Sequence, residues 1–336
     1  MEEAEIKHAD APEMAGAPGR QETPVGQDAD IDADIKAHTR KEPYILLISG
    51  SDSSGGAGMQ ADIAMARRMN VFPQCAVTCV TAQGASGLTA LDPVSPPMLR
   101  AQLDAALEAG APASVKVGLL PDRRLAETVA DFIMSHRLEN VVVDPVLSPT
   151  RTGIAIDTDF WLDPDFQRLL LPHVALLTPN LSEFLKISRC SFDGTEMAAS
   201  VGRSEQYKAE DAVAEWMMGT GLRNLFISNG DSSSDTIREW LYVTSRHNNG
   251  IYVTPLTSER IHTRNTHGTG CTFSTALACC LIDRDIPYGI AAAEANGLLR
   301  EALELGATLR LYDDASAHGP TLFRMPGNRS GSGGRT

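Results

Sequence analysis

At 336 residues, with 43% hydrophobic and 21% charged side chains, the chain has ordinary globular composition and enough apolar content for one large α/β domain or two smaller ones. Its formal net charge of −14 argues against a broad basic surface for nucleic acid or an anionic membrane. No apolar run approaches the ~18 residues of a membrane span, and the first thirty residues lack the apolar core of a secretory signal, so a soluble, cytoplasmic protein is predicted. An acidic total still leaves room for a phosphate ligand, because helix N-termini and Mg²⁺ supply local positive charge.

Met1 to about Lys41 is rich in Ala, Gly, Pro, Asp and Glu and poor in large apolar residues. It reads as a disordered acidic leader over 1–42, since such a segment buries too little surface to offset its ordering entropy. The Gly/Ser/Arg-rich end, 326–336, reads as a flexible tail. Between them a single domain, 43–325, shows alternating strand and helix patterns. Tyr44–Ile48 is a continuous apolar run of the kind a buried parallel strand needs, and Gly58–Met69 follows as a helix. Ala76–Thr81 is strand-like, Met98–Glu108 helical, Ser114–Val117 a strand and Asp122–Arg137 a helix. Val141–Val143 and Val174–Leu177 are further strands; helices near Leu181–Ile187 and Glu205–Gly219 precede a strand at Leu225–Ser228. Glu239–Thr244 and Gly250–Pro255 form an antiparallel hairpin, and helices at Cys271–Ile282 and Tyr288–Leu305 close the domain. This alternation predicts a mostly parallel sheet covered on both faces, with ligands bound at the carboxyl ends of its strands.

The loops at those ends carry the candidate chemistry. Ser49-Gly-Ser-Asp-Ser-Ser-Gly-Gly-Ala-Gly58 places four glycines in nine residues, which lets backbone N–H groups approach a ligand, although a tight strand–helix turn has the same composition. Asp62, four residues into the following helix, is expected to face back toward this loop. Gln83, at the end of the second strand, carries the mixture of donors and acceptor that the edge of an aminopyrimidine presents. Asn265-Thr-His-Gly-Thr-Gly-Cys-Thr-Phe-Ser274 runs into a helix of small residues. The free amides of that helix start, with its dipole, suit a phosphoryl group in transfer. Of the six cysteines, which include no CxxC pair, Cys271 stands at this helix start, where a lowered thiol pKa is expected. Asp144 and Thr178 close two further strands, and Asn180 and Glu183 offer oxygen ligands suited to Mg²⁺ or its waters.

Taken in order, Ile48–Asp62, Thr81-Ala-Gln83, Val115–Leu119, Val143-Asp-Pro-Val146, Leu177–Glu183 and Asn265–Cys271 resemble the hydroxymethylpyrimidine/phosphomethylpyrimidine kinases of thiamine biosynthesis, over roughly Pro43 to Phe323. The resemblance implies a ribokinase-like three-layer α/β/α sandwich and a Mg·ATP-dependent kinase that phosphorylates a hydroxymethylpyrimidine and then its monophosphate. It implies that Asp62 and Gln83 hold the aminopyrimidine, with Gly50 and Gly56 on the same loop. The amides of Gly268, Thr269, Gly270 and Cys271 would stabilise the transferring group, with Cys271 where the hydroxyl is activated. Thr178, Asn180, Ser228 and Asn265 would lie on the ATP side, Glu183 and Asp144 on the Mg²⁺ side. A homodimer is implied as well. Three features depart from the family pattern: Ser228 stands where a phosphate-clamping Lys is usual, the Asp144–Gly153 loop is one residue longer and carries Arg151, and the acidic leader is extra. Pyridoxal kinases share the fold and the Gly-Thr-Gly-Cys turn and are the alternative; a catalytically weak pyrimidine-binding paralogue is the reading outside the enzymes.

Overall fold

A computed structural model describes residues 42–147, 154, 156–191, 203–230 and 234–308. The leader up to residue 41, the tail, Arg151 and Asp231 lie outside the described residues.

Strand β1 (Tyr44–Asp52) leads into helix α1 (Gly58–Arg68), and β2 (Phe72–Gly84) turns back through β3 (Gly87–Pro93). Then come α2 (Pro96–Leu107), β4 (Ser114–Val117), α3 (Arg123–Ser135), β5 (Val141–Val143), α4 (Pro164–Leu170), β6 (Leu176–Leu177), α5 (Leu181–Ser188) and α6 (Arg203–Thr220). The chain continues through β7 (Asn224–Ile227), β8 (Thr236–Thr244), β9 (Ile251–Glu259), α7 (Thr269–Cys280) and α8 (Tyr288–Ala307). One nine-stranded sheet runs β3-β2-β1-β4-β5-β6-β7-β8-β9. From β2 to β7 neighbouring strands are parallel, and β3, β8 and β9 each pair antiparallel with the strand before them.

The apolar runs are continuous because both faces are covered. On β1, Leu46 and Ile48 join one core and Ile45 and Leu47 the other; Val141 and Val143 of β5 oppose Val142 in the same way. The first core includes Leu103 of α2, Phe132 of α3, Phe166 of α4, Phe184 of α5 and Met217 of α6. The second includes Met65 of α1, Phe273 of α7 and Ala291 of α8. The result is three layers. Local signals set the helix starts: Ser95 caps α2, followed by Pro96, and Asp122 caps α3 by accepting from Leu125 N–H at 3.0 Å.

The strand order positions the site. From β1 the chain crosses first to β2 on one side and later to β4 on the other, so the crevice outside the carboxyl ends of β1 and β4 is the switch point of this sheet.

Several boundaries differ from the sequence expectation. β2 is longer than Ala76–Thr81 because its second half is held by β3, a strand that Gly87-Leu-Thr-Ala-Leu-Asp-Pro93 does not announce. α4 was also not expected; Asp163 and Pro164 start it, and Phe166 and Leu170 anchor it in the core. β6 shrinks to Leu176–Leu177 because Leu171–His173 forms a 3₁₀ turn just before it.

On β8 the half-buried Glu239 accepts a hydrogen bond from Asn296 of α8 at 2.8 Å, yet burial raises its carboxyl to about 7. The folded state therefore holds a proton that the unfolded chain releases between pH ~4.3 and about 7, and stability falls as pH rises through that window. Glu239→Gln should raise Tm at pH 8 and leave it nearly unchanged at pH 4.5; equal shifts at both pH values would show that the side chain is not titrating.

Candidate active site

The glycine-rich loop after β1 and the turn before α7 are built against each other. Gly268 caps α7 at φ +85°, and a Cβ there would run into the Gly56 carbonyl. Gly58 starts α1 at φ +54°, where a Cβ would overlap the Gly50 carbonyl. Both positions combine a left-handed backbone with a close approach that only glycine meets. Gly50, Gly56 and the Gly268–Cys271 turn, expected on one site, are thus brought together at the switch point.

Polar contacts lock the junction. The Asp52 carboxylate accepts from the N–H groups of Ser54 and Ala57 and from the Ser54 hydroxyl, each at 2.8 Å. His267 Nε2 lies 2.7 Å from Asp52 Oδ2 and 3.3 Å from the Gln83 side-chain amide. Burial pulls the Asp52 carboxyl upward, but the hydrogen bonds from His267 and Ser54 outweigh it and hold the group below the usual carboxylate range. Gln83 is fixed at its backbone too: Ser53 Oγ donates to Gln83 O and accepts from Gln83 N–H, both at 2.8 Å. Gln83 therefore stands beside the turn before α7.

Asp62 departs from its expected orientation. It does not face the glycine loop: its side chain is fully buried, with Lys116 Nζ 2.8 Å from each carboxylate oxygen and Thr275 Oγ1 donating at 2.7 Å. Lys116, from the middle of β4, is equally buried. Burial by itself would lower its ammonium pKa, but Asp62, with Cys271 and Asp144 behind it, holds the ammonium above its ordinary range. Asp62 is thus tied to Lys116 of β4 and Thr275 of α7 within the fold.

Cys271 reverses the expectation of a lowered pKa. Burial, with Asp62 and Asp144 adding to it, pushes the thiol up to about 12 against the pull of Lys116 and of the hydrogen bond from Gly58 N–H. The helix start does not compensate for desolvation and two acidic neighbours. The thiol donates to Asp144, which also accepts from Ser274 Oγ at 3.3 Å. Burial raises the Asp144 carboxyl to about 6 despite Lys116. In the native protein Cys271 should therefore resist iodoacetamide at pH 8 while the unfolded chain is fully alkylated, as followed by mass spectrometry. Rapid native labelling would contradict a neutral thiol.

The residues expected on the nucleotide side have local structural partners. Thr178 Oγ1 donates to Val143 O at 3.2 Å. Asn180 and Glu183 form a capping box at α5: Asn180 Oδ1 accepts from Glu183 N–H at 2.8 Å, and Glu183 Oε2 accepts from Asn180 N–H at 3.0 Å. Glu183 Oε1 also accepts from Leu147 N–H at 3.2 Å, so both oxygens expected to face Mg²⁺ are engaged with backbone. Asp144, likewise expected to face Mg²⁺, is 6% exposed and turned to Cys271 and Ser274. Among the described residues no group of three His, Cys, Asp or Glu side chains is placed to hold a metal ion. Ser228 bridges to the start of α5 through its backbone, donating to Pro179 O at 3.0 Å and accepting from Leu181 N–H at 2.8 Å. Asn265 Nδ2 donates to Gly306 O at 2.6 Å, which fastens the turn before α7 to the end of α8.

A family model described as phosphomethylpyrimidine kinase matches residues 52–320, a span containing both loops. The chain belongs to the phosphomethylpyrimidine kinase family. It is 33% identical over 276 residues to the hydroxymethylpyrimidine/phosphomethylpyrimidine kinase of Bacillus subtilis, covering 82% of this chain and 93% of that one. The Escherichia coli enzyme of the same name is 30% identical over 270 residues, covering 79% and 92%. Among solved structures, the ADP complex of Bacillus subtilis pyridoxal kinase matches with a TM-score of 0.64 at 27% identity, over 83% of this chain and 96% of that one. The sandwich is the ribokinase-like fold that the sequence implied, and the chain is a kinase of this family.

Three residues of the site were quoted in the sequence motifs without being given a role: Asp52, Lys116 and His267. Lys116 had a visible signal, a charged residue inside a four-residue strand otherwise fit for burial. Asp52 and His267 had none, because their pairing joins residues 215 positions apart.

Proposed function

We propose that this chain transfers the γ-phosphoryl group of Mg·ATP to the hydroxymethyl oxygen of 4-amino-5-hydroxymethyl-2-methylpyrimidine, and then phosphorylates the resulting monophosphate. One observation carries the reading: the amides at the start of α7 are seated against the glycine loop after β1, with Gln83 alongside. The N–H groups of a helix start, at a junction of two loops, suit the spreading negative charge of a phosphoryl group in transfer. The loose transition state asks more for positioning than for a strong base, so a neutral Cys271 thiol held by Gly58 and Asp144 is compatible with the chemistry. Mg²⁺ enters this proposal with the nucleotide, coordinated chiefly by phosphates and water, a mode that needs no resident protein cage.

Nucleotide use is supported by the ADP complex of the Bacillus subtilis pyridoxal kinase. That neighbour also motivates pyridoxal as the second candidate substrate. Cytoplasmic location is part of the proposal, in keeping with six cysteines that are all free thiols. So is a homodimer, which sedimentation would read. The test is an ATP-consumption assay with the pyrimidine, its monophosphate and pyridoxal in parallel, with Cys271→Ala as a control. Turnover of the pyrimidine and its monophosphate is expected. Turnover of pyridoxal alone would replace the reading, and saturable pyrimidine binding without ATP consumption would leave a binding protein.

A further inference from the structure

The contact between Gln83 and His267 contains a conflict that determines which way the Gln83 amide faces. Asp52 is an ionised acceptor that already takes three hydrogen bonds from Ser54 and Ala57. A carboxylate offers no proton, so the 2.7 Å contact from His267 Nε2 to Asp52 Oδ2 requires the proton on Nε2. With that proton in place, Nε2 has no lone pair to accept from an amide N–H₂. The Gln83 amide nitrogen placed 3.3 Å away therefore exchanges places with the amide oxygen, which shares the same N–H with Asp52 and leaves the N–H₂ group on the opposite side. The oxygen and nitrogen of a glutamine amide have nearly the same shape, and it is the hydrogen-bond network that assigns them.

We infer that the Asp52–His267 pair is a positioning unit for Gln83, turning the amide oxygen to the imidazole and presenting the N–H₂ group to the substrate. The amide atom facing away from His267 has no hydrogen-bond partner among the described residues, and Gln83 stands beside the turn that cradles the phosphoryl group. Its backbone is clamped in both directions by Ser53, so the amide cannot turn by shifting the strand end. The group of the ligand that meets Gln83 must then be an acceptor, such as an unprotonated ring nitrogen, rather than an exocyclic amine. This choice between the two edges of an aminopyrimidine rests on the proposed substrate, whereas the tautomer and the amide orientation do not.

Two measurements test it. A long-range ¹H–¹⁵N correlation spectrum of the histidine-labelled protein, with His267 assigned by His267→Asn, should show the Nε2-protonated ring, and Asp52→Asn should perturb that signal. An Nδ1-protonated neutral ring at His267 would overturn the assignment whatever the substrate proves to be. Gln83→Glu keeps an acceptor toward His267 and replaces the substrate-facing donor by an acceptor. Its KM for the pyrimidine should rise by about 10-fold or more while the KM for ATP stays within about twofold, which also shows that the variant is folded. An unchanged or lower pyrimidine KM in Gln83→Glu would mean that the ligand offers a donor there, and would overturn the inference. If the wild-type protein turned over no pyrimidine, the substrate proposal would fail, while the histidine spectrum would still decide the orientation of Gln83.

Discussion

Lys116→Met is expected to destabilise the protein by about 3–5 kcal/mol, because it leaves Asp62 buried without its counter-charge. Both side chains are completely buried, and Thr275 also donates to the carboxylate. One neutral hydroxyl cannot replace an ammonium that reaches both oxygens at 2.8 Å. The double variant Lys116→Met with Asp62→Leu removes both charges and should recover much of the loss, since a buried pair exchanged for apolar residues of similar volume is often near neutral. Urea unfolding of the two single variants and the double gives the coupling directly. If the single variant lost less than ~1 kcal/mol, the pair would be behaving as an exposed salt bridge and the buried assignment would be wrong. The pair joins β4 to α1 and, through Thr275, to α7, so activity should fall with stability in the single variant. In the double variant stability should recover more fully than activity, because Lys116 is also the cation nearest in influence to Cys271 and Asp144.

Gly268→Ala is expected to lower kcat by a factor on the order of 10²–10³, comparable to the loss of one donor from a charge-stabilising site. The φ of +85° already disfavours alanine, and the new methyl group would collide with the Gly56 carbonyl. A backbone carbonyl cannot swing aside as a flexible side chain can, so the two loops must separate. Separation moves the amides of Thr269–Cys271 away from the glycine loop, and a shift of about 1 Å in such a constellation is enough for a loss of that size. Gly289→Ala is the matched control: it lies in α8, a Cβ there meets nothing within 4 Å, and it should leave kcat unchanged. A Gly268→Ala enzyme with wild-type kcat would show that the contact of the two loops does not set the cradle.

Much of the architecture is written in local pattern. Unbroken apolar runs such as Tyr44–Ile48 and Val141–Val143 identify strands buried on both faces, and the glycines after β1 and before α7 mark the two loops that pack against each other. β3 escaped because Gly87–Pro93 begins with glycine, ends with proline and becomes a strand only by pairing with β2. The capping box was legible: Asn180 followed at three residues by Glu183 is a local helix-start signature, and the structure forms it.

By itself, then, the sequence determined the layer order, the parallel sheet and the two glycine turns, because those depend on periodicity and on conformations that only glycine adopts. The tertiary structure decided which residues meet. It placed Lys116 against Asp62, 54 positions apart, and His267 against Asp52, 215 positions apart. It also turned Cys271 from a thiol expected to have a lowered pKa into one raised to about 12. A helix N-terminus is a local feature, but desolvation and the charges of Asp62 and Asp144 are properties of the packed interior, and at this site they outweigh it.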